Sequence, residues 1–175
     1  RMKDVSDEEV KSVAEQIIPM CQETDTILVI DDRVELTMDL KVHGVHLGKN
    51  DMPAVNAREY LGAGAIIGVT ANTAQDIIAY KKVDVDYVGL GPFRYTTTKS
   101  NLSPIIGLDG YRDIITEVRN AGVELPIVAI GGITLEDVAE LMSTGVNGIA
   151  MSGAILSAEN PTEYTKRVIE ALNKR

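Results

Sequence analysis

At 175 residues and 45% hydrophobic composition, the chain has enough apolar side chains for one sizeable core and reads as a single domain over residues 1–175. With 17 Lys and Arg against 26 Asp and Glu, no Trp and one Phe, it lacks the basic field and the stacking aromatics that a nucleic-acid partner requires. Cys21 is the single cysteine, which excludes an intramolecular disulfide and a cysteine zinc site; no apolar run reaches the roughly 18 residues that span a bilayer, so a cytoplasmic protein is expected.

In chain order, Ser6 and Glu9 form a capping box ahead of Val10, Val13, Ile17 and Ile18, which predicts a helix over 7–21. TILVIDD (26–32) reads as a strand ending in two carboxylates. Val34, Leu36, Met38 and Leu40 mark a second helix, and GVHLG (44–48) is a short strand followed by Asn50 and Asp51. Strands over 66–71, 87–91, 126–132 and 148–153 then alternate with helices near 54–62, 73–82, 109–121 and 134–143. A last helix over 161–173 opens on Pro161.

Continuous apolar strands with polar ends, separated by amphipathic helices, describe an α/β protein with a parallel sheet covered on both faces. Six strands and seven helices are most of a (β/α)8 TIM barrel, which has eight of each. The first predicted helix has no strand before it, so the shortfall is assigned to the N-terminus: the first strand-helix unit and most of the second strand, whose last residues would be Arg1 to Lys3. A trimmed chain and a naturally incomplete barrel both fit; the latter would expose strand edges and favour a homodimer or aggregation.

In such a barrel chemistry belongs at the carboxyl ends of the strands. Those ends carry Arg1 and Lys3, Asp31 and Asp32, Asp51, Thr70 and Asn72, Gly131 and Gly132, and Ser152 and Gly153. They also carry the loop 94–99, with Arg94, Thr96, Thr97, Thr98 and Lys99. Paired carboxylates suit a hard cation such as Mg²⁺, while Lys, Arg and threonine hydroxyls suit phosphate oxygens. Glycines at 131, 132 and 153 would let backbone N–H groups approach an anion. Each piece also has a plain structural reading: a solvated polar loop, tight turns with Thr134 as a helix N-cap, carboxylates that cap helices, and His46 packed within its strand without acting as a metal ligand.

The segments RMK (1–3), DDRVEL (31–36), GVHLGKND (44–51), GVTANT (68–73), YVGLGPFRYTTTK (87–99), PIVAIGGI (126–133) and NGIAMSGAI (147–155) make the chain resemble the thiamine-phosphate synthase, or thiamine-phosphate pyrophosphorylase, family. The blocks stand in family order across nearly the whole chain. The resemblance implies a transferase that joins hydroxymethylpyrimidine diphosphate to thiazole phosphate, releasing pyrophosphate and thiamine phosphate, with Mg²⁺-assisted loss of pyrophosphate before the thiazole nitrogen attacks. It implies Asp32 and Asp51 as Mg²⁺ ligands, and Arg1, Lys3 and Lys99 as catalytic cations on the departing pyrophosphate. Asp31 and Thr70 would meet the pyrimidine diphosphate. Thr96, Thr98, Gly131, Ser152 and Gly153 would hold thiazole phosphate.

The chain departs from the family pattern at several of these positions. Asp31 stands where the family usually has Asn, Lys49 where it has Gln, Gly153 where it has Ser, and Arg94 with Tyr95 replace a more apolar, Pro-containing stretch. Two rival readings are a thiazole tautomerase of the same fold, whose loop histidine corresponds to Asn72 here, and a non-catalytic phosphate-binding barrel.

Overall fold

The computed structural model describes residues 2, 5–95 and 103–173. The chain divides into two compact units, residues 1–70 with 82–86 and residues 71–81 with 87–175.

The first unit holds α1 (Asp7–Glu23), β1 (Val29–Asp31), α2 (Val34–Leu40), β2 (Gly44–Leu47), α3 (Ala54–Leu61) and nearly all of β3 (Ile66–Ala71). The expected capping box starts α1: Glu9 N–H donates to the Ser6 hydroxyl at 3.2 Å, and Ser6 N–H donates to the Glu9 carboxylate at 3.0 Å. β1, β2 and β3 pair in parallel, with Ile30 opposite Val45 and Val45 opposite Ile67. Val10, Ala14, Ile30 and Leu36 form a buried cluster that Met2, Val5, Leu40 and Val42 pack against, so α1 and α2 cover β1 with their apolar faces.

Below the strands, Arg58 of α3 donates to the Ala65 carbonyl at 2.6 Å, the Gly62 carbonyl at 3.0 Å and the Asp86 carboxylate at 2.7 Å. The same Asp86 oxygen accepts from the N–H of Ile67 at 2.7 Å, which fixes the start of β3.

The second unit continues with α4 (Ala74–Ala79), β4 (Tyr87–Leu90), α5 (Gly107–Asn120), β5 (Ile127–Ile130), α6 (Val138–Ser143), β6 (Gly148–Ala150), α7 (Gly153–Leu156) and α8 (Pro161–Asn173). β4, β5 and β6 also pair in parallel, Val88 with Ile127 and Val128 with Gly148. Val88, Leu90, Ile127 and Ala129 of the strands are buried, as are Ile77, Tyr111, Val118, Val138 and Leu141 of the helices. Here Arg119 of α5 donates to the carbonyls of Val123 and Leu125 at 2.7 and 3.1 Å and to the Asn147 amide oxygen at 3.3 Å. That oxygen accepts from Ile127 N–H at 2.9 Å.

Parallel strands that alternate with helices within each unit are the α/β barrel-like pattern expected from the sequence. Several boundaries differ for identifiable reasons. The strand expected over 126–132 stops at Ile130, because Gly131 and Gly132 take φ of 93° and 72° and cannot extend it. The strand expected over 148–153 stops at Ala150, and the segment read as a turn there is the short helix α7. The helix expected over 134–143 begins as a 3₁₀ turn, Leu135–Asp137. No helix among the described residues is long and apolar enough to cross a membrane.

Candidate active site

In the first unit the expected carboxylates lie at the ends of adjacent strands. Asp31 closes β1, in register with His46 of β2. Asp32 follows at φ 65°, its N–H donating to the His46 carbonyl at 2.9 Å while Arg33 N–H reaches back to Asp31 O at 2.8 Å. Asp32 therefore sits at the tip of a three-residue turn of the strained kind, a backbone state that costs about 1–3 kcal/mol and persists only where neighbours over-determine it. Arg33 supplies that restraint. Its guanidinium donates to Asp7 at 2.6 Å and to Val5 O at 2.7 Å.

The second carboxylate is fixed by its own loop. Beyond β2, Gly48 N–H donates to the Asp51 carboxylate at 2.6 Å, and Asp51 N–H returns a bond to Gly48 O at 3.2 Å. Thr70, near the end of β3, is buried at 9% exposure, and its hydroxyl lies 3.0 Å from His46 Nε2. The His46 ring thus meets a hydroxyl at the strand end.

Asp32 and Asp51 offer oxygen donors, and Mg²⁺ is commonly held by one or two carboxylates with substrate phosphates and water completing its shell. The donor chemistry fits that ion. No cluster of three or more His, Cys, Asp or Glu suited to a metal occurs among the described residues.

In the second unit the loops after β4 and β5 close on one another. Phe93 N–H donates to Ile130 O and Arg94 N–H to Gly131 O, both at 2.9 Å. A Cβ on Gly91 would lie 2.3 Å from Ile130 O, and one on Gly131 would lie 2.9 Å from Pro92 Cα, so only glycine fits this seam. Asn72 follows β3, and its side-chain amide donates to Gly91 O. Thr134 ends the Gly-Gly turn, giving its N–H and its hydroxyl to the Asp137 carboxylate at 2.8 and 3.0 Å. Asp137 in turn pairs with Arg94 through two bonds of 2.9 and 2.8 Å. Burial works to raise the Asp137 carboxyl, but the bonds from Arg94 and Thr134 outweigh it and hold the group below its ordinary value. The carboxylate bond in turn raises Arg94. Ser152 and Gly153, both exposed, begin α7 directly after β6.

Of the residues singled out in the sequence, the fold sets Asp31, Asp32, Asp51 and Thr70 at strand ends of the first unit. Gly131, Ser152 and Gly153 stand at strand ends of the second. Arg1, Lys3, Thr96, Thr98 and Lys99 lie outside the described residues. Sequence reasoning missed the His46–Thr70 and Arg94–Asp137 pairs, which join residues 24 and 43 positions apart and leave no periodic signal.

A family profile described as thiamine monophosphate synthase matches residues 1–155. A thiamine-phosphate synthase of Bacteroides fragilis is 54% identical over 169 residues, covering 97% of this chain and 83% of that relative. One from Flavobacterium psychrophilum is 44% identical over 175 residues, covering 100% of this chain and 83% of that relative. Among solved structures, a thiamine phosphate pyrophosphorylase from Pyrococcus furiosus matches with a TM-score of 0.86 at 30% identity, covering 99% of this chain and 81% of that one. The strand-end carboxylates, the Gly-Gly turn and these likenesses agree, and the chain belongs to the thiamine monophosphate synthase family of transferases.

Proposed function

We propose that this protein joins hydroxymethylpyrimidine diphosphate to thiazole phosphate, giving thiamine phosphate and pyrophosphate. The bond from the pyrimidine methylene carbon to the diphosphate oxygen breaks, and its electron pair leaves with pyrophosphate. The thiazole nitrogen then supplies the pair for the new C–N bond. Membership of the family, at 54% identity to a thiamine-phosphate synthase across 97% of the chain, is the observation that carries this reading. The parallel strands described within each unit are read as strands of a (β/α)8 barrel, a fold whose chemistry lies at the carboxyl ends of its strands.

The residue roles are those that the family resemblance implies, and the chemistry of each side chain suits them. Arg1, Lys3 and Lys99 neutralise charge on the departing pyrophosphate, and positioned donors of this kind are worth about 3–4 kcal/mol each. Asp32 and Asp51 hold Mg²⁺, which when bound offsets diphosphate charge. The strained turn at Asp32 fixes one of these ligands before substrate arrives. The Thr70 hydroxyl, oriented by His46, meets the pyrimidine diphosphate beside Asp31. Thr96, Thr98 and the backbone at Gly131, Ser152 and Gly153 take the thiazole phosphate. The tautomerase reading is disfavoured by Asn72, whose amide donates to the Gly91 carbonyl and does not act as an acid or base near neutral pH.

The test incubates the purified protein with both substrates and Mg²⁺, follows thiamine phosphate by chromatography, and runs Lys99→Ala and a chelator in parallel. Product in the parent, with a loss of about a hundredfold or more in Lys99→Ala and Mg²⁺-reversible loss under chelation, is the expected result. A folded parent that makes no product at any Mg²⁺ concentration rejects the assignment.

A further inference from the structure

Arg94 stands in a stretch that departs from the family pattern, and its surroundings show what it does. Its backbone N–H donates to the Gly131 carbonyl at 2.9 Å, and its guanidinium donates to the Gly132 carbonyl at 3.0 Å. The same guanidinium grips both oxygens of Asp137, at 2.9 and 2.8 Å, and lies 5.0 Å from the Phe93 ring centroid. The Asp137 side chain is only 13% exposed. One residue thus holds two successive carbonyls of the Gly-Gly turn and the carboxylate that caps its far end.

The orientation has a chemical consequence. In a trans peptide the N–H points opposite to the preceding C=O. With the Gly131 and Gly132 carbonyls both turned towards Arg94, the N–H groups of Gly132 and Ile133 are directed away from it. Successive backbone N–H groups presented by a turn with positive φ are a means by which a loop receives an anion. The turn is also held sterically, since a Cβ on Gly132 would lie 2.9 Å from Tyr95 O.

We propose that Arg94, through its two-bond pair with Asp137 and its hold on the Gly132 carbonyl, is a positioning residue that fixes the Gly131–Ile133 backbone in the state that receives the phosphate of the thiazole substrate. This rests on the reading of Gly131 as part of the thiazole phosphate site. Arg94 acts through the turn and not as a phosphate ligand, because its guanidinium is already committed to Asp137 and Gly132.

The experiment measures steady-state kinetics of the full chain with each substrate varied in turn, for Arg94→Gln, Asp137→Asn, Arg94→Lys and Gly131→Ala, alongside thermal melts. Arg94→Gln and Asp137→Asn should each raise KM for thiazole phosphate about tenfold, with KM for the pyrimidine diphosphate and kcat within about twofold of the parent. Arg94→Lys, which keeps the charge but cannot pair with both oxygens, should recover part of the loss, and it keeps the test decisive if Arg94→Gln does not fold.

Unchanged KM for thiazole phosphate in both pair variants overturns the inference. So does a rise in Arg94→Gln with a fall in Asp137→Asn, which would make Arg94 a direct ligand released by losing its partner. Equal rises in both substrates' KM with a lowered Tm would reduce the pair to a general structural tie and also overturn it. Gly131→Ala separates the two levels of failure. A raised thiazole phosphate KM there, with the pair variants silent, rejects the clamp alone; no change in any variant rejects the phosphate reading of the turn itself.

Discussion

Replacing Thr70 by Val isolates one hydroxyl with little change of shape. Val suits a strand as well as Thr does, so β3 should persist, and what is removed is the 3.0 Å contact between Thr70 Oγ1 and His46 Nε2. Thr70 is 9% exposed, so water cannot fully replace that partner. A typical intramolecular hydrogen bond contributes about 0.5–1.5 kcal/mol, rising to about 1–3 when a buried group is stranded. His46 is half-buried, so the lower half of that span applies: a loss of about 1–1.5 kcal/mol, or roughly 2–6 °C in Tm for a chain of this size.

Thermal unfolding of Thr70→Val, His46→Asn and the double variant would give the coupling directly. In the same samples, KM for hydroxymethylpyrimidine diphosphate should rise while that for thiazole phosphate holds. Additive Tm losses in the double variant, with both KM values unchanged, would refute both the pairing and the substrate role of the hydroxyl.

Tyr111 is fully buried, its hydroxyl donating to the Leu90 carbonyl and its ring meeting Phe93 edge-on at 5.9 Å between centroids. Burial pushes its ionisation well above the ordinary tyrosine value. Because the folded-state pKa is the higher one, its contribution is complete below about pH 10 and is lost as pH rises above that. Tyr111→Phe should therefore unfold at a higher pH than the parent while losing about 1 kcal/mol at neutral pH; an unchanged alkaline midpoint in a chemical denaturation series would contradict this. At the base of the strands, Asp86→Asn should cost under about 1 kcal/mol, since Asn147 performs the equivalent task as a neutral amide. Asn147→Ala strands the Ile127 N–H and should cost about 1–3 kcal/mol; equal Tm losses in the two variants would break the equivalence.

The strands were legible because parallel strands buried on both faces are continuous apolar runs, as in IIGVTA and YVGL, whose central residues are all buried. The starts of α1 and α8 were legible because Ser6 with Glu9, and Pro161, carry local backbone chemistry. α7 was not, since GAIL has neither a side-chain cap nor a periodic face long enough to read. Asp31, Asp32 and Asp51 could be picked out because strand ends are predictable and carboxylates there are conspicuous. Arg94 with Asp137, and His46 with Thr70, could not: each pair is made by tertiary closure between separate elements, and nothing in the spacing of the residues anticipates it.

The arginines beneath the two units are variations on one lock. Arg58 and Arg119 each collect two carbonyls just past the end of their own helix and then reach a side chain 28 residues further on, and that side chain also receives an N–H from the first two residues of a strand. Each half of the chain therefore carries its own fastening, far from the loops where substrates would react, and those loops can vary in sequence without loosening it. The two locks differ in one respect. Arg58 closes on a carboxylate that is 45% exposed, whereas Arg119 closes on a neutral amide. Dissolved ions screen the first and leave the second untouched, so rising ionic strength should soften the earlier half of the chain before the later one.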